Sequence, residues 1–558
     1  MTFALLLISA IDTYSMTNKE IANKFNLLGK LMELHGENAF KVRSYYSAYQ
    51  ALRRLDTPLA DMEEGEWGMV QGVGKAIQGK IGELLTNGEL NTLNRYVEMT
   101  PPGVIEILAI KGLGPKKVGT IWKEMEIESP GELLYACNEN RLIELKGFGE
   151  KTQADIIKQI NFHLSTKGQF LYPTVESVAK EIEDLINEIE PDAKFGYVGE
   201  FGRKSPIVTD GLRLISDVEL EELILEELGE DITYDDDQIE LHGIPLYCEQ
   251  VKEEDFYLEL AKQTSGEPLA KQLKKASAAN DEEEVFKTIG LPTIPVEIRD
   301  YPYTSIEELK EIAVELVEME DIKGVIHNHT TYSDGLYSVA EMAEYTKELG
   351  YEYIVITDHS KSAFYANGLS VERVQMQQRE IDQLNKDYSD FHVFKGIECD
   401  ILYDGSMDYE DEVLASFDLV IASIHSQLKM TEEKANERLI KAIESPYVKM
   451  LGHVTGRLLL SRQGYPINHE KIIDACAANG VCIELNANPH RLDIDYRWIK
   501  YATDKDVFIS INPDAHNKDG IHDIKYGVIA ARKGGLSMVN CLNTKGLEEF
   551  KGWLCKSD

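Results

Sequence analysis

Nine imidazole and carboxylate side chains in the C-terminal part of this chain stand at or just beyond the ends of apolar runs. His327 and His329 close VIHNH, Asp334 follows in TTYSDG, and His359 ends YIVITDH. Glu398 ends VFKGIE, His425 ends LVIASIH, His453 ends VKMLGH, and Asp514 with His516 closes VFISINPDAH. Six of the 13 histidines are used in this way. Imidazole with carboxylate and no thiolate suits Zn²⁺, Mn²⁺ or Fe²⁺. Nine donors exceed the needs of one ion, so two to three divalent ions bridged by carboxylates are expected. Such a cluster can bind phosphate oxygens, acidify a bridging water and stabilise a leaving oxygen. His327, His329, Glu398 and Asp514 are the expected catalytic ligands. Asp334 is the ligand most easily replaced by a polar neighbour. Arg457 and Arg491 follow ligand segments in polar turns and are expected to fork onto a substrate phosphate; the alternative is a salt bridge in the rim. His392, His469, His490 and His522 belong to no motif and are expected to be structural or superficial.

Something must hold these groups together. Amphipathic stretches separate the apolar runs, and alternating strands and helices with ligands at strand ends describe a β/α barrel with its chemistry in the mouth.

A second pattern lies near the other end. GVGKAI (72–77), KGLGPKKVGTIW (111–122) and KGFGEKTQADII (146–157) each read Gly-x-Gly, a short polar stretch, then a helical apolar period. Glycines permit a tight turn and a close backbone approach. The helix N-terminus that follows aims N–H groups at an anionic oxygen. Gly72, Gly74, Lys75, Gly112, Gly114, Lys116, Lys117, Gly147, Gly149 and Lys151 are thus candidates for gripping a DNA backbone without reading its sequence. Three ordinary helix–turn–helix corners are the alternative.

The net charge of −39 argues against nucleic acid until it is divided. Residues 1–165 hold 18 Lys and Arg against 21 Asp and Glu, and the remainder 40 against 76, so the acid load lies elsewhere. Seven scattered cysteines with no CxxC pair indicate neither a disulfide framework nor a thiolate zinc site, which suggests the cytoplasm. The apolar segment FALLLISAI (3–11) is too short to span a bilayer and lacks a basic n-region. Met16 is a plausible start. No membrane partner is expected, and a monomer is.

Taken together, these segments resemble the family X DNA polymerases with a C-terminal PHP (polymerase and histidinol phosphatase) domain. The resemblance is carried by NAFKVRSYYSAYQALRRL (38–55), GYEYIVITDHSKSAFYANGLS (350–370), DEVLASFDLVIASIHSQLKMT (411–431), GHVTGRLLL (452–460) and ELNANPHRLD (484–493). It implies a multidomain chain. A helix-hairpin-helix α-helical N-terminal region and an α+β nucleotidyltransferase-like palm and thumb come first. A distorted (β/α)7 TIM-like barrel follows. The implied boundaries are 1–95 with the first hairpin, 96–165, 166–300 for palm and thumb, a linker helix 301–321, and 322–558 for the PHP domain. Family members act as 3′–5′ exonucleases, some as AP endonucleases or 3′-phosphatases. Lys80 falls where some carry a Schiff-base lysine; the alternative is a solvated helix lysine. Pro513 departs from the Thr common before Asp-Ala-His.

The palm departs further. YVGEFGRKSPIVTDGLRLI (197–215) keeps Gly199 and Asp210, but Glu200 replaces the triphosphate-holding Ser and Leu212 the second metal carboxylate. Leu246 stands near the third. From Asp217 to Glu240 there are 12 acids and no base. One Asp cannot anchor two Mg²⁺ ions, so nucleotidyl transfer is expected to be lost. The leading expectation is a DNA-binding repair protein whose PHP domain trims 3′ ends. Alternatives are a gap-filling family X polymerase, a small-molecule phosphatase of the histidinol-phosphatase type, and an inert DNA-binding scaffold.

Overall fold

A computed structural model describes residues 16–555, apart from 56, 64, 144, 146, 166–167, 230, 236–237, 302–307 and 311–314. The apolar segment 3–11 and residues 302–307 and 311–314 of the expected linker helix lie outside the described residues; within that linker, 308–310 are helical and Met319–Asp321 forms a 3₁₀ turn. Among the described residues, no helix is long and apolar enough to cross a membrane.

Two units divide the chain, Met1–Leu133 and Leu134–Asp558. The first is helical. Its opening helix, Asn18–Leu34, starts where Thr17 and Glu20 form a capping box, and it buries Ile21, Phe25, Leu28 and Met32 along one stripe. Helices Ala39–Leu52, Lys75–Asn87, Asn91–Glu98, Pro102–Ala109 and Pro115–Met125 follow.

The second unit contains the palm and the barrel. The palm sheet runs Phe195–Val198, Leu212–Ser216, Ile244–Gln250, Gln238–Leu241, Ile232–Asp235 across its width. Leu212–Ser216 and Ile244–Gln250 pair in parallel, and the other three pairs are antiparallel. Helix Tyr172–Ile189 covers one face, burying Val175, Ile182 and Ile186 against Leu212, Leu214 and Leu246.

Seven parallel strands make the barrel: Gly324–Asn328, Tyr353–Ile356, His392–Asp400, Leu419–Ser423, Val448–Leu451, Cys482–Asn486 and Ile509–Asn512, each beside its sequence neighbour. A parallel bridge between Asn328 and Ala515 brings the last strand back to the first. Side chains alternate across a strand. Ile326, Val355, Ile421 and Met450 pack in one cluster, while their neighbours Val325, Ile354, Val420 and Leu451 pack in another with the surrounding helices. The first cluster is completed by Phe550 of the C-terminal helix Leu547–Leu554, whose ring stacks on Tyr353 at 4.5 Å. Apolar groups thus fill one end of the barrel, leaving the carboxyl ends of the strands for polar ones.

Candidate metal centre

Strand alternation delivers several of the expected ligands directly. Phe394 packs in the inner cluster; Glu398 and Asp400 follow on the same side of their strand. In the same way Ile421 leads to Ser423 and His425, and Cys482 to Glu484. His327 would point outward by this rule. The register between the first two strands shifts between Val325 and Asn328, and His327 adopts φ +69°, which re-aims its ring. Asp514 takes φ +55° just past the last strand. Gly452 lets the chain before His453 pack closely, since a Cβ there would lie 2.3 Å from Ser423 Oγ and 2.9 Å from Ile421 Cγ2.

All nine expected ligands converge. Glu398 lies at the middle: its Oε1 is 2.9 Å from His453 Nε2, 3.0 Å from His425 Nε2 and 3.4 Å from His327 Nε2. Its Oε2 is 2.9 Å from His359 Nδ1 and 3.7 Å from His329 Nε2. Asp514 Oδ1 lies 3.0 Å from His329 Nε2 and 3.4 Å from His327 Nε2. Asp334 sits between His359 (3.6 Å) and His516 (3.4 Å). Donor atoms cluster closely in three sets of these ligands: His329–Asp334–His359–His516, His327–His329–Asp514, and His359–Glu398–His425.

These side chains are buried without the partners burial demands. His327 Nε2, His329 Nδ1, both Asp334 oxygens, His359 Nδ1, Glu398 Oε2 and His453 Nδ1 make no hydrogen bond. An unsatisfied buried polar atom costs about 1–3 kcal/mol, so seven among these clustered side chains call for a ligand. Imidazole nitrogens and carboxylate oxygens are suitable donors for borderline divalent cations. Burial opposes charge on His425, but Glu398 and Asp400 outweigh it and lift the pKa to about 10. Burial together with His516 and His359 holds His329 down at about 3. Burial would raise Glu398 and Asp514; the surrounding imidazoles instead hold both well below the usual carboxylate range.

Groups that carry no strand-end signature complete the site. Glu484 Oε2 holds His327 Nδ1 at 2.6 Å, and Asp400 Oδ1 holds His425 Nδ1 at 2.5 Å. Asp358 accepts from Thr330 N and Ser333 N at 2.8 and 3.1 Å, and from Gln377 Nε2 at 2.5 Å, fixing the loop that carries Asp334. Only period-2 alternation could have singled out Asp400 and Glu484, each inward-facing on its strand.

The two arginines separate. Arg491, largely buried, has Nε 4.0 Å from Asp514 Oδ2 and donates to Tyr135 OH at 3.0 Å. Arg457 is turned into the rim: it pairs with Asp495 at 2.5 Å and donates to the carbonyls of Arg491 and Leu492. These contacts are those of the rim salt bridge, the alternative to a phosphate contact. Among the unassigned histidines, His490 meets Asn138, His522 meets Tyr345, and His469 stacks on Trp498.

Residues 326–488 match the PHP domain family, residues 16–90 the helix-hairpin-helix domain, and residues 104–161 the SAM-like helix-hairpin-helix tandem. The sequence is 33% identical over 577 residues to the DNA polymerase/3′-5′ exonuclease PolX of Bacillus subtilis, covering 97% of this chain and 100% of that protein. The chain belongs to the family X DNA polymerases with a C-terminal PHP domain. A probable phosphatase of Acetivibrio thermocellus is 32% identical over 167 residues, covering 29% of this chain and 63% of that protein. A histidinol phosphate phosphatase structure from Lactococcus lactis, with zinc, L-histidinol and phosphate, is 18% identical. It covers 38% of this chain and 93% of that one, with a TM-score of 0.29.

In this family X chain, the palm keeps one carboxylate of the expected three. Asp210 accepts from Glu200 N at 3.1 Å, and Glu200 itself accepts from Thr209 Oγ1 at 2.8 Å. Leu212 and Leu246, at the other two positions, are both buried. Lys80 is ion-paired with Glu83 at 2.6 Å.

The three Gly-x-Gly segments form equivalent turns. The first glycines, Gly72, Gly112 and Gly147, have φ +98°, +91° and +96°. The residue between each pair (Val73, Leu113, Phe148) is buried, whereas the glycines are exposed. Gly74 and Gly114 are the N-caps of the helices beginning at Lys75 and Pro115, and Gly149 immediately precedes the helix beginning at Glu150. Gly74 and Gly114 have extended backbones that any residue could adopt, and a Cβ on either would meet nothing within 4 Å. What glycine provides there is open access from outside. Lys75, Lys116 and Lys151 are exposed in the first turns of these helices.

Proposed function

We propose that the PHP barrel hydrolyses DNA phosphodiesters from the 3′ end, and that the Gly-x-Gly turns hold the DNA backbone. The observation that carries this reading is the gathering of nine candidate donors, Glu398 at their middle, with several buried nitrogens and oxygens that make no hydrogen bond. The name of the Bacillus relative, which includes a 3′-5′ exonuclease, supports it.

Two or three divalent ions held by these ligands would supply positive charge to phosphate oxygens and make water a stronger nucleophile. The chain's own contribution is positioning. Glu484 and Asp400 fix the rings of His327 and His425. Arg491, buried beside Asp514, is available as a cation for the phosphate. Backbone amides at the starts of the hairpin helices bind phosphate oxygens independently of sequence. With only near-neutral charge behind them, the affinity should be modest and salt-sensitive.

A second reading, polymerase with proofreading, is favoured by the relative's name and opposed by the apolar pair in the palm. One experiment separates the two. A 3′-labelled primer-template is incubated with Mn²⁺, with and without dNTPs. Degradation in both arms supports the proposal; extension without degradation overturns it. Turnover of small phosphate esters with none of DNA would instead favour a small-molecule phosphatase.

A further inference from the structure

Three histidines of the metal centre share one arrangement, and the third draws its partner from outside the barrel. His327 meets Glu484 through Nδ1 while its Nε2 faces Glu398 and Asp514, both at 3.4 Å. His425 meets Asp400 through Nδ1 while its Nε2 faces Glu398 at 3.0 Å. His516 presents Nε2 to Asp334 at 3.4 Å, and its ring stacks on His329 at 4.2 Å. Its Nδ1 meets the carboxylate of Glu139. Glu484 and Asp400 lie on barrel strands. Glu139 lies between helix Pro130–Asn138 and the third Gly-x-Gly turn, in the stretch expected to serve DNA binding.

Glu139 is held there by a docked segment. Tyr135 OH accepts from Arg491 at 3.0 Å and its ring lies 4.5 Å beneath that guanidinium. Asn138 meets His490 at 3.1 Å, Asn488 meets Glu139 at 3.5 Å, and Arg141 stacks over Tyr365 at 4.6 Å. Glu139 is 4% exposed. Burying a carboxylate so completely is costly unless it is paired, and His516 is the charge-bearing partner it meets.

We propose that Glu139 is a positioning residue for the metal centre: it orients His516 so that Nε2 is free to bind an ion. The site is then complete only while the segment 135–141 is docked on the barrel mouth. This links the hairpin region to nuclease competence. The inference rests on the metal-centre reading above. The Asp514 carbonyl, 3.0 Å from the same Nδ1, is a weaker neutral acceptor that would keep part of the orientation if Glu139 were lost.

The test is Mn²⁺ binding to the full-length apo protein, followed by calorimetry and by the signal of free Mn²⁺. Wild type is compared with Glu139→Gln, Glu139→Asp and the barrel control Glu484→Gln. Partners of ligating histidines typically contribute about 10–100-fold in affinity. Glu139→Gln should therefore weaken one class of site by about that factor, reach full stoichiometry at saturating Mn²⁺, and match Glu484→Gln in kind. Glu139→Asp should recover part of the loss. Unchanged affinity in Glu139→Gln overturns the inference. A lost ion at saturation does so too, since Glu139 would then be a direct ligand. Increased nuclease activity also overturns it, because the segment would then be a plug. A wild type that takes up no ion would instead overturn the metal-centre reading itself.

Discussion

Leu212 and Leu246 face each other in register on neighbouring parallel strands of the palm, at 1% and 5% exposure. Two-metal nucleotidyl transfer needs carboxylates at such positions, and here they are packed into the palm core with Val175 and Ile182. Leu212→Asp alone should give no dNTP incorporation in primer extension. It should also destabilise the protein by about 3–5 kcal/mol, because the new carboxylate is buried without a partner. A lowered melting temperature with no extension product is the expected pair of results.

His327→Ala or Asp514→Ala should remove nuclease activity. His327 Nε2 lies 3.4 Å from both Glu398 and Asp514, and Asp514 Oδ1 also lies 3.0 Å from His329, so each loss removes a donor from the cluster's middle. Loss of a metal's several kcal/mol of transition-state stabilisation corresponds to about a thousandfold or more in rate. Chelation of the wild type should match it. DNA binding measured in chelator should be unchanged, since the proposed DNA contact lies on the hairpin helices and not on the metal cluster.

Asp400→Asn should act through His425 rather than on the ions. The mutant should need about 10–100-fold more Mn²⁺ for half-maximal degradation and regain its rate when Mn²⁺ is raised. A titration of rate against free Mn²⁺ checks this.

Burial holds the pKa of His490 down at about 4, so the imidazole is neutral in the folded state at ordinary pH. Between about 6.5 and 4 the unfolded chain binds a proton that the native chain does not. Stability should therefore be full above about pH 6.5 and fall as pH drops through that window, by about 2 kcal/mol at pH 5 and about 3 kcal/mol near pH 4. His490→Gln should flatten this slope in denaturant titrations at pH 7 and pH 5.

Lys116→Ala and Lys151→Ala, in the first turns of two hairpin helices, should weaken binding to all duplex sequences alike. Each should lower the slope of log affinity against log salt by about one. Filter or anisotropy binding at several salt concentrations reads both.

The convergence of the nine candidate ligands was legible because each follows an apolar run, and strand ends are where a β/α barrel places its chemistry. The Gly-x-Gly turns were legible because the first glycine needs a positive φ and the second leaves the helix N-terminus open. The palm's apolar pair was legible as a departure from an expected pattern, since Leu at a carboxylate position needs no coordinates to be noticed. Asp400 and Glu484 were harder: they sit among other polar residues, and only the inward phase of their strands distinguishes them.

What the sequence determined by itself, then, was local: which residues end strands, which turns require glycine, and which carboxylates are missing. The tertiary structure decided pairings between distant segments. Arg457 turned to Asp495, Arg491 to Tyr135, and Glu139 reached His516 across more than half the chain. No periodicity encodes such contacts. They arise because burial forces each charged or polar group to find a partner among whatever the packing brings near.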